Sequence, residues 1–296
     1  MERKAFGMLV ATLRKEIRNE FDETLTQYDL AELARIPLIS LQKIEQGRGV
    51  NLSPETILSL AEALKLPTRA RQVFFLASLG LPDKVFMKQP LAAQALLDEL
   101  VQILSQMQTP AFIADAFGDV IVSTPALLEV YDLKLDEIGG ADLISQFNLY
   151  RFLFAPDFAK QRAMLGESLN DFSHRMVLIF KMVSLKHRNH WCFVRLLPEL
   201  NRFPLFREHW QSPFYHDDDI LNTLIPLSLN HPRFGKLKFL SSPQVTVSGY
   251  GDLYLYNYLP MDAHTAEACV QIMKLHNATP FQNSAWPKPD APELVS

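Results

Sequence analysis

The sequence predicts two domains, an all-α unit followed by a larger α+β unit. Three observations carry that prediction. A length of 296 residues is too great for one small domain. Through residue 82 the apolar residues recur at helical spacing, with caps and breaks between runs. Beyond residue 109 the period changes, and β-rich runs stand on either side of a helical middle.

Residues 1–21 place Phe6, Leu9, Val10, Leu13, Ile17 and Phe21 on one face of an amphipathic helix. The segment TQYDLAELARIPLISLQKIEQGR at 26–48 reads as two short helices around a tight turn. Thr26 caps the first, with Asp29 in the place of a capping-box acid. Leu30, Ala31, Leu33 and Ala34 form its close-packing face, and Arg35-Ile36-Pro37 ends it, because the residue before proline disfavours the α region. The second starts at about Leu38, buries Leu41 and Ile44, and stops at Gly47. Ser53-Pro54 then opens a helix with Ile57, Leu60, Ala61 and Leu64 inside, and Thr68 opens a fifth with Val73, Phe74 and Ala77 inside.

Two helices this short at this spacing form the helix-turn-helix unit, whose second helix enters the DNA major groove. The plain alternative is an αα-hairpin with no DNA role. With Leu41 and Ile44 inward, Ile39, Gln42, Lys43 and Gln46 face outward, and Ser40 shares the start of that helix. Gln42 can read adenine by a bidentate contact and Ile39 can meet a thymine methyl, while Lys43 and Arg48 suit phosphates. The five helices resemble the XRE family of DNA-binding domains, the lambda-repressor and Cro type, and LAELARIPLISLQKIEQGR carries the resemblance. It implies a phosphate contact at Gln27. The sequence departs from the family at Arg35, where glycine is usual, and at Pro37, where a serine-like cap is usual; the proline alters how the recognition helix begins.

The charge is divided. Residues 1–88 hold 13 Lys+Arg against 11 Asp+Glu, a balance of +2, and the remainder 16 against 22, a balance of -6, matching the total of -4. Local placement of cations must therefore matter more to DNA than bulk charge. Cys192 and Cys269 form no CxxC, which excludes a disulfide framework and a structural zinc site of that type and fits a reducing cytoplasm. The N-terminus lacks the apolar core of a signal peptide, and no apolar run is long enough to span a membrane.

A proline-bounded connection at 81–90 precedes Leu91–Met107. That segment, LAAQALLDELVQILSQM, reads as a helix with Leu96, Leu97, Leu100, Ile103, Leu104 and Met107 on one stripe, fit to pack on the second domain or on a second copy. Ala111–Ala114 and Val120–Ser123 then read as strands around the turn Asp115-Ala116-Phe117-Gly118-Asp119, followed by a short helix from Pro125. Strand character returns at 236–240, 244–248 and 253–259, and Asp262 caps a last helix. Two strands early and three late around a helical insert resemble the PAS order, an antiparallel sheet of about five strands covered by helices. The tail from 278 holds four prolines and reads as a disordered or loosely docked extension. The expected boundaries are 1–82, a linker and connecting helix at 83–108, a PAS-like domain at 109–277 and the tail at 278–296.

NLYRFLFAP at 148–156, LNRFPLFREHWQ at 200–211 and NHPRFGKLKFL at 230–240 resemble the ligand-binding domain of MmyB-like transcriptional regulators. The resemblance implies a cytoplasmic bacterial DNA-binding regulator, often dimeric, that carries a sensor domain; because one recognition helix reads only a few base pairs, a homodimer on a palindromic double-stranded operator is expected. Fourteen of the 20 phenylalanines lie between Phe112 and Phe239, so the sensor has either an aromatic core or an apolar pocket. The pocket reading points to a hydrophobic ligand, a fatty acid or other acyl compound, with Phe112, Phe147, Arg151, Phe154, Phe206, Phe234 and Leu237 as candidates. Arg151 shares a helix face with Leu143, Phe147, Tyr150 and Phe154, so it needs a partner, either a protein acid or carbonyl or a ligand carboxylate. His187, His190 and His216–Asp219 invite a metal reading but lack a ligand set, and His231 reads as structural. No GxSxG, P-loop, HExxH or GxGxxG occurs, so neither an enzyme nor a cofactor is expected. A protein-interaction module and residual enzymatic activity remain the alternatives for the second domain.

Overall fold

The computed structural model describes residues 3–18, 22–48, 52–79, 92–134, 147–212, 224–275 and 279–288. Phe21, the expected connection at 81–90, Leu143 and His216–Asp219 lie outside them. Among the described residues five helices form the N-terminal unit: α1 (Arg3–Glu16), α2 (Gln27–Leu33), α3 (Leu38–Glu45), α4 (Pro54–Ala63) and α5 (Thr68–Ser78). Phe6, Leu9, Leu30, Leu41, Leu60 and Phe74 meet in their shared core. Gly7 lets α1 approach α3 closely; a Cβ there would lie 2.3 Å from the Ile44 carbonyl oxygen. Leu33 differs from expectation and is 56% exposed. The inward face of α2 is set by Leu30, Ala31 and Ala34, and position 33 falls off that stripe.

The connecting helix α6 (Ala93–Ser105) is shorter than the predicted 91–107. Its Leu97, Leu100 and Leu104 pack on Ala111, Ile113, Ile121 and Leu255 of the sheet. Of the two partners that the stripe suits, the structure shows the second domain.

The second unit runs β1 (Ala111–Asp115), β2 (Val120–Ser123), α7 (Pro125–Val130), α8 (Leu149–Phe154), α9 (Ala159–Ala163), α10 (Leu169–Val183), α11 (Trp191–Leu200), α12 (Pro204–Gln211), β3 (Ile225–His231), β4 (Gly235–Thr246), β5 (Leu253–Pro260), α13 (Ala263–Leu275) and β6 (Phe281–Gln282). The strands form one sheet in the order β3-β4-β5-β1-β2-β6, and every neighbouring pair is antiparallel. Helix α6 covers one face, and the aromatic core under α7 to α13 covers the other. Both faces of β1 and β2 are thus buried, which explains their unbroken apolar runs.

Two expectations for the late strands need correction. Ile225–His231 forms a strand that the sequence analysis does not predict, although its buried positions alternate. Segment 236–240 and the first part of 244–248 belong to one strand, β4, which is continuous through Pro243 and ends at Thr246. Strand β3 pairs with β4 only as far as Ser241, so Pro243 stands where one edge needs no donor. The tail also differs from a loose extension over 279–288. There β6 pairs with β2, Trp286 is buried against the α6 side of the sheet, and Lys288 forms ion pairs with the buried Asp115 and Asp119.

The hairpin between β1 and β2 turns at Gly118, at φ +82, with the Tyr150 ring against it. Asp115 Oδ1 accepts from the backbone amides of Phe117 and Asp119 at 2.9 and 3.0 Å.

Candidate functional site

The candidate DNA-facing surface is built at the turn between α2 and α3. The capping box forms: Thr26 Oγ1 accepts from the Asp29 amide at 3.2 Å, and Asp29 Oδ2 accepts from the Thr26 amide at 2.8 Å. These hydrogen bonds hold the Asp29 carboxyl below its usual range. Helix α2 ends with Arg35 at φ +53; the Arg35 amide bonds the Glu32 carbonyl and the Ile36 amide bonds the Ala31 carbonyl, a Schellman closure. Pro37 takes the N-cap place of α3 at ψ 137 without a side-chain cap. Arg14 fixes α3 from below: its Nε and Nη2 donate to Glu45 at 2.8 and 3.2 Å, and its Nη1 donates to the Leu25 carbonyl at 2.6 Å.

Of the residues named for DNA, Ile39, Lys43, Gln46 and Arg48 are exposed on α3 and just beyond it, and Ser40 and Gln42 are half-buried on the same helix. Gln27 is placed differently. Its Nε2 donates to Glu45 Oε2 at 2.7 Å, which ties up the amide nitrogen that would meet a phosphate. Tyr28 is 62% exposed at the start of α2, beside this surface.

The sensor cavity lies between the sheet and α7, α8 and α10, and measures about 20 Å³. Phe112, Leu127, Phe147, Phe152, Phe172 and Met176 supply its apolar walls. Its polar groups include three hydroxyls. Tyr131 and Tyr258 share a 2.6 Å hydrogen bond, and burial raises both pKa values, keeping them protonated. Ser241 Oγ is buried without a hydrogen-bond partner. Such a site can enclose an apolar group and offer donors to an oxygen atom.

The structure brings only Phe112 and Phe147 of the seven named ligand residues to this cavity. Arg151 is not a lining residue: its Nε lies 3.2 Å from Glu199 Oε1, and both side chains are one-third exposed. Of its alternative partners, the geometry shows the protein acid. Helix α8 starts only at Leu149, capped by Asn148, so Phe147 precedes the helix it was predicted to share with Arg151. Phe154 and Phe206 pack edge to face at 5.3 Å, Leu237 is fully buried on β4, and Phe234 packs by His231 at 4.9 Å. Tyr131, Ser241 and Tyr258 carry no sequence signal, because they come from three elements far apart in the chain.

His231 accepts from the Arg233 and Phe234 amides at 3.1 Å and contacts the Glu129 carbonyl at 2.9 Å, a structural arrangement. Burial pushes the Cys192 and Cys269 thiols up, to about 12 and about 11. Among the described residues no group of three His, Cys, Asp or Glu is arranged to hold a metal ion.

Residues 96–271 match the family model described as the MmyB-like transcription regulator ligand binding domain. The chain belongs to the MmyB-like regulator family. Residues 15–70 match a helix-turn-helix model, which covers α2 and α3 with their capping box and turn. No curated protein matches the chain. This MmyB-like chain thus joins a DNA-binding unit to a ligand-binding domain, the arrangement of a ligand-responsive transcription regulator. No helix among the described residues is long and apolar enough to cross a membrane.

Proposed function

We propose that this chain is a sequence-specific cytoplasmic regulator whose PAS-like domain senses a small hydrophobic ligand, such as a fatty acid. It acts by binding rather than by catalysis. The strand order β3-β4-β5-β1-β2 supports the PAS-like reading. The observation that carries the ligand is the cavity: aromatic and aliphatic walls with an unpartnered Ser241 hydroxyl and the Tyr131–Tyr258 pair. A nucleotide would leave polar groups unsatisfied there, at roughly 1–3 kcal/mol each. An acyl chain would gain about 0.8 kcal/mol per buried methylene.

At about 20 Å³ the cavity has room for one water, so an acyl chain fits only if the site opens. A ligand that stabilises an opened sensor has the differential affinity that regulation requires. The three hydroxyls replace Arg151 as the headgroup partners. The same tight packing favours a second reading, in which the domain docks a protein partner and binds no small molecule.

Lipid extraction and mass spectrometry of the purified full chain separates the two. The first reading predicts a co-purifying acyl species, and a thermal upshift on adding fatty acids that is weakened by Ser241→Ala and unchanged by Arg151→Ala. Absence of any acyl species together with no thermal response favours the second.

A further inference from the structure

The cleft between the two domains holds another cavity, of about 180 Å³. The DNA-binding unit contributes Glu16 and Arg18 at the end of α1 and Lys65 beyond α4. The sensor contributes Lys181 on α10, Arg188 ahead of α11, and Trp210 on α12. Among the described lining residues, four cations stand against one acid, Glu16.

The domains are already docked around it. Leu185 is buried in the core of the DNA-binding unit, and Asn189 Nδ2 donates to the Ala5 carbonyl at 3.2 Å. Arg188 Nη1 lies 3.2 Å from Glu16 Oε1, Nη2 donates to the Lys181 carbonyl at 3.1 Å, and the guanidinium sits 4.6 Å from the Phe193 ring and 4.7 Å from the Trp210 ring. Lys181 Nζ donates to the Ser212 carbonyl at 2.7 Å. The bonds to the Lys181 and Ser212 carbonyls stand at helix ends.

Two features are left over. Arg188, with its side chain 2% exposed, keeps Nε and Nη1 without a hydrogen-bond partner, the Glu16 carboxylate being near but out of line. A buried donor left this way is costly. Burial also pushes Lys181 down to about 8 and raises Glu16, so burial costs each charged form more than its neighbours return.

We infer that the interdomain cleft binds a small oxyanion, a carboxylate or phosphate group, held by Arg188 and Lys181, with the exposed Arg18 and Lys65 at its mouth. The planar fork of an arginine suits two oxygens of one such group. Because both domains supply ligands, an anion there favours the docked arrangement and so couples to DNA binding. This site is separate from the hydrophobic sensor cavity and does not depend on it.

Calorimetric titration of the full chain with sodium phosphate, and separately with sodium succinate, tests this at ionic strength held constant with chloride. Saturable binding of one equivalent of either anion is expected; which of the two binds tells a phosphate ligand from a carboxylate ligand. The double variant Arg18→Gln/Lys65→Gln changes only exposed side chains and should weaken binding about tenfold, whereas Lys43→Gln on α3 should not change it. Three results overturn the inference: no saturable heat from either anion at millimolar concentration, parental affinity in the double variant, or loss of binding in Lys43→Gln, which would put the anion on the DNA-facing surface.

Discussion

Arg35 occupies a backbone position that suits glycine. At φ +53 its Cβ is strained, and a non-glycine residue there costs roughly 1–2 kcal/mol, offset in part by the extra chain entropy that glycine loses on folding. Arg35→Gly is therefore expected to stabilise the protein by about 0.5–1 kcal/mol; chemical denaturation checks it, and a loss of stability would contradict the reading. The sequence showed the departure at position 35, and the Schellman bonds explain it. Thr26 and Asp29 were equally legible, because a capping box is local. The Gln27–Glu45 bond was not, since its partners stand 18 residues apart on different helices. His187 sets a pH dependence. Burial, with the charge of Lys186 and the proximity of His190, pushes its pKa down to about 3, against roughly 6.5 in the unfolded chain. The folded state then binds fewer protons, so the contribution is present above pH ~6.5 and is lost as pH falls from there toward 3. Asp115 runs the other way: burial and the Asp119 charge push it up to about 7 against the pull of Lys288, so its contribution falls as pH rises from about 4 to 7. His187→Gln should remove the first effect, gaining about 1 kcal/mol relative to the parent between pH ~6 and pH ~5. A constant difference over that interval in urea unfolding would sink the assignment.

At the scale of elements, helix periodicity was the reliable guide and strand punctuation the weaker one. The five N-terminal helices were legible because caps and breaks separate them, such as Ser53 before α4 and Gly47 after α3. Strand β3 escapes prediction and β4 reads as two because Ser-Ser-Pro at 241–243 looks like a break, while edge status is a property of the sheet. Gln42 and Lys43 are expected to make two different kinds of DNA contact from α3. Gln42→Ala is expected to cost roughly 1–3 kcal/mol and to relax preference at one base, whereas Lys43→Ala weakens binding to all sequences and lowers the salt slope by about one. Selection from a randomised DNA pool, with salt titrations, reads both outcomes; unchanged base preference in Gln42→Ala defeats the assignment.

For the whole molecule, domain order was legible from the change of period, but the docking between the domains was not. The seam joins Leu185, Arg188 and Asn189 to residues near the N-terminus, and no local pattern announces such pairs. Leu97, Leu100 and Leu104 of the α6 stripe lie against the sheet, whereas Ile103 of the same predicted stripe is 51% exposed. A dimer is still expected on DNA grounds, since one recognition helix reads few base pairs and palindromic half-sites lie about 34 Å apart. Light scattering should give twice the 33.8 kDa chain mass; a monomer that binds single half-sites without cooperativity would contradict this.

The central claim is that an acyl ligand in the sensor changes how the N-terminal unit holds DNA. It is tested most directly by measuring the affinity of the full chain for a selected DNA duplex, first stripped of lipid and then saturated with a fatty acid of about 12–18 carbons. The account predicts a change of about 5-fold or more, a coupling of about 1 kcal/mol at least, that is reduced in Ser241→Ala. An identical affinity with and without bound fatty acid would contradict it.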